Sequence, residues 1–261
     1  DYTTNATTDI TTESSGDYTV TANFAKKDLT VTKGTHAHGD FTVPATAQVG
    51  DIVTISDITP ATGYEISAVQ YTANGTTSSA TQSGDDYTFT MPGYDTTVNV
   101  TFTAKNYNVS TVKSPNNGGS LYVSRSESNP GTYTATTYTI GGTIYYKATA
   151  ADGYDLSAVD IAYGDGTATL HVTDVTSGTA KSVSMANHTG AVTITAYFTK
   201  KPVYAITMST NSSSYGTTAS SVAYAYAGQT VTVTATEKDG TFSNWSVLSG
   251  GATLASTSSA T

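Results

Sequence analysis

The sequence predicts an all-β protein built from tandem small β-sandwich-like modules, and three observations support this prediction. Threonine and serine make up about a third of the 261 residues and 19 tyrosines are present, so strand-favouring residues outnumber strong helix formers. Apolar and polar residues alternate in short runs, such as residues 231–236. Glycine-containing turns separate the runs, and no segment has the 3.6-residue period of a helix. A β-grasp-like fold with one short helix near residues 64–69 is the alternative.

The alternating runs recur as three copies of one pattern. The middle of each copy has a glycine, an alternating strand, a polar break and a second glycine followed closely by an aromatic residue. A second strand is predicted from each aromatic residue to a valine five residues later (64–69, 154–159 and 242–247), and a two-residue hairpin signal follows. The aromatic residues are Tyr64, Tyr154 and Phe242, and the hairpin signals are Asn74–Gly75, Asp165–Gly166 and Gly250–Gly251.

Each copy also has an opening strand, and two copies share a closing strand. The opening runs at residues 29–32, 107–112 and 204–208 follow lysine-rich junctions. Residues 87–102 and 181–198 end the first two copies alike, with a methionine, a turn and an alternating strand. The repeats therefore predict module A at residues 25–103, module B at 104–199 and an incomplete module C at 200–261.

Residues 1–24 end in SGDYTVTANF, which is the pattern of a closing strand with no module before it. Module C has no closing pattern of its own. We therefore predict that residues 1–24 donate a closing strand to module C of another copy. The inward-facing residues of this strand are Tyr18, Val20, Ala22 and Phe24. A cut through a longer array of modules would produce the same ends, and this alternative stays open.

Three repeated motifs carry a resemblance to a known family. They are the strand from Gly228 to Thr236, the FSNWSV segment at 242–247, and TFTMP with VNVTF within 88–102. In these motifs the chain resembles the divergent internalin-B-type repeats (InlB B-repeat-like) of bacterial and some archaeal surface proteins. Only module C has the tryptophan, Trp245, and the closing segment of module B lacks the proline. The resemblance implies extracellular multi-module stalks or adhesin parts without catalytic residues.

Metal binding and catalysis have little support in the sequence. His36 and His38 are the best metal candidates, because residues i and i+2 of a strand share a face and Asp40 is near. We favour the other interpretation, in which both histidines lie in a polar hairpin tip between two strands of module A and no metal is bound. The aspartate-rich stretch 152–165 lacks the spacing of a calcium loop, and no nucleophile–base pattern or phosphate-binding loop occurs. The sequence predicts a non-enzymatic protein without a cofactor.

Net charge and hydropathy limit the classes of partner expected for this chain. The net charge is −9 and Arg125 is the single arginine, so nucleic acids and anionic membranes are not expected partners. No apolar stretch is long enough to enter and span a bilayer. The first functional hypothesis is an extracellular structural subunit of a surface filament, sheath or stalk, whose partners are other copies or neighbouring modules of one long chain. The alternative is an adhesive or glycan-binding array from a larger cell-surface protein.

Overall fold

The computed structural model describes residues 6–11 and 16–259. In this part of the chain the one helical element is a 3-10 turn at Asn116–Gly118, and the other elements are strands. The chain divides into two compact units, Asp1–Thr103 and Ala104–Thr261. The prediction of an all-β fold made of small modules is confirmed.

Module A contains nine strands in two sheets. They are β1 (Asp28–Lys33), β2 (Gly39–Thr42), β3 (Thr46–Gln48), β4 (Ile52–Pro60), β5 (Tyr64–Ala73), β6 (Thr76–Ser79), β7 (Thr81–Ser83), β8 (Asp86–Thr90) and β9 (Thr96–Ala104). The first sheet has the order β3-β1-β9-β5-β6 and the second has β2-β4-β8-β7. Residues 64–69 lie in β5, so the β-grasp alternative with a helix there is wrong.

The core of module A takes side chains from both sheets, as in a β-sandwich. Strand alternation explains this arrangement, since buried side chains alternate with more exposed ones over residues 28–31 of β1, 52–55 of β4 and 96–102 of β9. The buried core residues are Leu29, Val31, Phe41, Val53, Ile55, Val69, Phe89, Met91, Val98, Val100 and Phe102.

Module B repeats this architecture with eight strands. They are β10 (Tyr107–Ser114), β11 (Gly119–Ser124), β12 (Ala135–Tyr138), β13 (Thr143–Ala150), β14 (Tyr154–Tyr163), β15 (Leu170–Val172), β16 (Ala180–Ser184) and β17 (Val192–Lys200). The first sheet has the order β12-β10-β17-β14-β15 and the second has β11-β13-β16. Strand for strand, both orders match module A, except that the second sheet has three strands instead of four.

The two complete modules also share their strand directions and core. β10 and β17 pair in parallel, as β1 and β9 do in module A. The buried core of module B again uses both sheets. Its residues are Val109, Leu121, Val123, Tyr138, Ile144, Tyr146, Ala148, Val159, Ile161, Met185, Val192, Ile194, Ala196 and Phe198.

Module C is much less regular. Its described residues form β18 (Val203–Ala205), β19 (Gly216–Ser220), β20 (Tyr224–Tyr226) and β21 (Val233–Glu237). β18 pairs with β20 and β19 pairs with β21, so each sheet has two strands. The predicted alternating strand over 231–236 therefore starts two residues later, at Val233.

Candidate assembly site

The central strand of the first sheet supplies four inward-facing side chains to each complete module. This strand is β9 in module A and β17 in module B, and it lies between two neighbours in its sheet. All eight side chains are buried: Thr96, Val98, Val100 and Phe102 in module A, and Val192, Ile194, Ala196 and Phe198 in module B. The central strand thus contributes to the core and also joins the two halves of its sheet.

Residues 18–27 repeat the sequence of this central strand. When they are aligned with residues 192–201, six of the ten positions are identical, including a final pair of lysines. The four predicted assembly residues therefore take the places of four buried side chains. These residues are Tyr18, Val20, Ala22 and Phe24.

In the structure, this segment forms no strand and its apolar side chains face solvent. The exposed fractions are 50% for Tyr18, 67% for Val20 and 94% for Phe24, and Ala22 is also exposed. Apolar side chains in an alternating pattern are buried when a strand has neighbours in a sheet. The four residues are exposed and belong to no sheet in the structure, so their inward alternation and their docking stay predictions.

Module C has the strands that flank the central position without the central strand. β18 pairs with β20 as β1 pairs with β3, and β19 pairs with β21 as β2 pairs with β4. No described strand lies at the other edge of β18. Among the described residues of module C, Ala225 is the one buried apolar side chain. Tyr204, which takes the place of the buried Leu29, is 60% exposed.

Residues 242–248 align with β5 and β14 but form no strand. Within this segment, the backbone N–H of Trp245 donates to the carbonyl oxygen of Thr257 at 2.8 Å. The indole Nε1–H also donates, to the carbonyl oxygen of Ser259 at 2.9 Å. In modules A and B the matching strand pairs with the central strand. The strand predicted over 242–247 is therefore wrong, and no described strand lies beside this segment.

A cleft of about 770 Å³ lies between the second sheet of module C and residues 239–248. Residues of β19 and β21 line one side, including Gly216 and Ala235, and Phe242 and Trp245 line the other. In modules A and B, the space between the two sheets is filled by the core. The cleft is therefore where the side chains of a central strand would pack.

In module B, an aspartate holds the turn that leads into the central strand. The carboxylate of Asp165 accepts hydrogen bonds from the backbone N–H of Thr167 at 3.0 Å and of Thr189 at 3.1 Å. The ring Nδ1 of His188 lies 3.1 Å from the same carboxylate. These hydrogen bonds, led by those from Thr167, hold the pKa of Asp165 well below its usual range.

A buried tyrosine holds the same turn from the other side. The hydroxyl of Tyr138 donates to the carbonyl oxygen of Gly190 at 2.9 Å, and burial raises the pKa of Tyr138 to about 12. Module A uses a single hydrogen bond instead. Asp95, just before β9, accepts it from the backbone N–H of Thr30 at 2.8 Å. Both modules thus anchor the start of the central strand to the opening strand or its neighbour.

The two histidines predicted as metal candidates lie in the turn between β1 and β2. His38 has a positive φ of 69°, so the pair does not share the face of a regular strand. Nδ1 of His36 lies 2.7 Å from the carbonyl oxygen of Gly34, whereas His38 stacks on Tyr64. Only His36 approaches Asp40, with 3.9 Å between Nε2 and Oδ1.

The aspartate-rich stretch of module B is likewise divided among separate partners. Asp155 pairs with Lys201, Asp160 with His171, and Asp165 with His188. Across residues 6–11 and 16–259, no group of three or more histidine, aspartate or glutamate side chains is arranged to hold a metal ion.

The repeated architecture has a counterpart among known families. The family model described as the divergent InlB B-repeat domain matches residues 29–106 and 206–261, just over half of the chain. The chain belongs to the divergent InlB B-repeat family. This family is associated with cell-surface proteins, and the chain is a surface repeat module in that sense. No curated protein and no solved structure matches the chain significantly.

Module B lies between the two matched segments, yet its first sheet has the strand order of the InlB B-repeat match in module A. Its longer connection between β11 and β12, at residues 125–134, separates the shared strands in sequence. The structure therefore extends the repeat to a third copy. Within the described residues, no helix has the length and apolar character needed to cross a membrane.

Proposed function

We propose that this chain is an extracellular structural protein, the subunit of a surface filament, sheath or stalk, in which copies join head to tail by strand donation. One observation carries the proposal. Residues 18–24 have the alternating pattern of a central strand with its apolar face exposed, while module C has the flanking strands of a sheet without that strand. The donated strand from one copy completes module C of the next.

The energetics favour a stable junction. Burying the side chains of Tyr18, Val20 and Phe24 stabilises the junction by about 1.5–3 kcal/mol each, or about 4–9 kcal/mol together. Backbone hydrogen bonds to β18 add to this, whereas ordering the segment and bringing two copies together offset part of it. The gross gain is comparable with the stability of a small domain, about 5–15 kcal/mol. Module C therefore gains most of its order when it receives the strand.

The proposal is tested by electron microscopy and sedimentation of the purified 261-residue chain and its variants. We expect the wild type to form linear assemblies, and the separate variants Val20→Asp and Phe24→Asp to stay monomeric, because each places a charge in an apolar groove. Deletion of residues 1–24 has the same effect. The buried cores of modules A and B contain no residue of this segment, so we expect both modules to stay folded in each variant.

Thr19→Asp and Thr21→Asp are the matched controls. They add the same charge to the same segment, but on the face predicted to point outward, and they leave assembly intact. If the inward and outward substitutions have equal effects, charge and not strand insertion controls assembly. If Val20→Asp, Phe24→Asp and the deletion all assemble like the wild type, strand donation by this segment is wrong.

An adhesive or glycan-binding function is the second candidate, and one observation favours it. Tyr133 lies in the loop between β11 and β12 of module B and is 62% exposed. Strand donation to module C does not account for this exposure, because Tyr133 lies in a different module. Exposed aromatic rings can stack on sugars. Binding on a glycan array that is lost in Tyr133→Ala, with assembly unchanged, supports this function and assigns it to the loop.

A further inference from the structure

We infer that the donated strand lies parallel to β18 in one fixed register, with Tyr18 beside Ile206 and the ring of Phe24 packed on Gly216 of the second copy. This inference rests on the proposed function and specifies the partner surface. It is argued from three features that modules A and B share: a glycine under the last phenylalanine of the central strand, the parallel register, and the antiparallel register on the other side.

A glycine lies under the last phenylalanine of the central strand in both complete modules. In module B, a Cβ added at Gly119 would overlap the backbone carbonyl oxygen of Thr149 and would also lie 2.6 Å from Cε1 of Phe198, closer than atoms approach in proteins. A Cβ at Gly39 would overlap the ring of Phe102 in module A. Each glycine is the first residue of the edge strand in the second sheet. The ring therefore needs a residue without a side chain beneath it.

Gly216 is the equivalent residue of module C. It begins β19 and pairs with Glu237, as Gly119 pairs with Ala150. A Cβ at Gly216 would lie 2.8 Å from the carbonyl oxygen of Thr236, and none of its three nearest neighbours is an aromatic ring. Gly216 also lines the cleft of module C. In the sequence alignment, the residue that would cover Gly216 is Phe24.

The parallel register follows from β1 and β10. In module A, Val31 is opposite Thr96, and in module B, Val109 is opposite Val192. Ile206 takes the place of these valines in module C, and Tyr18 takes the place of their partners.

The residue before the donated strand fits the same register. In module A, Asp95 accepts a hydrogen bond from the backbone N–H of Thr30. Asp17 takes the place of Asp95, and Ala205 takes that of Thr30. The carboxylate of Asp17 therefore accepts a hydrogen bond from the N–H of Ala205 in the second copy, which favours this register over a shifted one.

The antiparallel side of the strand follows from β14. In module B, Asp160 is opposite Thr195. Leu248 takes the place of Asp160, and Thr21 takes the place of Thr195. Both side chains are on the outward face in this register, where Leu248 is exposed in the single chain. Directly opposite Cβ atoms in an antiparallel pair are about 4.5–5.5 Å apart, close to the range that a disulfide bridges.

Thiol cross-linking tests the register, because the chain has no cysteine. Thr21→Cys and Leu248→Cys are made in separate full-length chains, mixed in equal amounts and oxidised. We expect a disulfide-linked dimer of the two variants that dissociates on reduction. Ser249→Cys is the matched control, since its side chain points to the opposite face, and with Thr21→Cys it gives at least a several-fold lower yield.

A second measurement tests the position of Phe24. Gly216→Ala in the Leu248→Cys chain lowers the cross-link yield several-fold with a donor that has Phe24, and much less with a Phe24→Ala donor. Gly251→Ala, where a Cβ would meet nothing within 4 Å, leaves the yield unchanged. Equal losses with both donors would mean damage to β19 itself and would overturn the packing of Phe24 on Gly216.

The outcomes of these experiments distinguish an error in the register from an error in strand donation itself. If assemblies form normally but Thr21→Cys cross-links to Ser249→Cys as well as, or better than, to Leu248→Cys, the proposed register is wrong. Strand donation itself is then still supported. Wild-type chains that form no assemblies overturn the proposed function, and this inference with it.

Discussion

Modules A and B have closed cores and five-stranded first sheets, whereas module C has two small sheets of two strands and almost no buried apolar side chain. The three share the opening strand, its antiparallel neighbour and the first pair of strands in the second sheet. The difference is located at the central strand. In module C, no described strand takes the place of the central strand. β18 and β20 keep the pairing seen in the other modules, whereas residues 242–248, which match β5 and β14, form no strand.

We infer from this comparison that the central strand orders the rest of its module. β17 pairs with β10 along one edge and with β14 along the other, and its four inward side chains are all buried. The residues of module C that match β14 have good strand sequence, but they stay irregular. Strand propensity alone does not order them, because the pairing neighbour contributes more than the local preference does.

The largest expected effect comes from a charge on the central strand of module B. Ile194→Asp places an unpaired carboxylate in the core, which costs at least about 3–5 kcal/mol, a large part of the stability of a small domain. We expect module B to lose its hydrogen-exchange protection and to come to resemble module C. Native-state amide exchange measures this, with the amides of module A as the internal reference.

Thr193→Asp is the control for that substitution, because it adds the same charge next to Ile194 on the opposite face of the strand. Thr193 is half-buried and Asp is unfavourable in strands, so this change should cost about 1 kcal/mol, well below the cost of Ile194→Asp. Full protection of module B in Ile194→Asp would contradict the role given to the central strand.

A smaller effect is expected at the glycine beneath the last phenylalanine. Gly119→Ala forces a Cβ against the ring of Phe198 and should destabilise module B by about 1–3 kcal/mol. Gly131→Ala is the matched substitution, since a Cβ there meets nothing within 4 Å. Urea unfolding of both variants measures the difference, and equal midpoints would refute the contact.

Alkaline pH distinguishes module B from module A. The pKa of Tyr138 is raised to about 12 in the folded state, against about 10 in an unfolded chain. Its contribution to stability is therefore complete below pH 10 and is lost as the pH rises towards 12. Module A has Ala47 at this place. We expect the exchange protection of module B to fall first, and Tyr138→Phe to reduce its pH dependence in this window.

Acid gives the smallest of these effects. The pKa of Asp165 is lowered by its hydrogen bonds, so its contribution is complete above the unfolded value of about 4 and is lost as the pH falls below it. Thermal unfolding between pH 6 and pH 2 should show a decrease in module B that is weaker in Asp165→Asn. An unchanged slope in that variant would show that other carboxylates dominate.

The sequence predicted the all-β class, the tandem modules and the family, because these depend on local patterns that recur. The hairpin at Asn74–Gly75 is an example, since both residues have the positive φ that its two-residue turn needs. The failures come from pairing. A strand over 242–247 was predicted from its likeness to β5, but local sequence cannot show whether a neighbour is present.

The candidate site was predictable only in part. The alternation of Tyr18, Val20, Ala22 and Phe24 was visible in the sequence, and their burial was inferred. The function of Gly216 was not predicted, because a glycine that begins a strand is unremarkable until the ring above its equivalents is seen. The sequence offered two interpretations for His36 and His38, a shared strand face and a polar hairpin tip, and the structure places both in the turn between β1 and β2.

The parallel pairing of β10 with β17 has a mechanical consequence. These are the first and last strands of module B, so a pull on the two ends of the module acts on neighbouring strands in opposite directions along their length. Their ladder joins six residue pairs, from Val109–Val192 to Ser114–Tyr197. Its hydrogen bonds lie mainly across the direction of the force and are loaded together in shear, so none can break alone. A chain built from such modules therefore resists tension, because each module extends only after all the hydrogen bonds between its first and last strands break together.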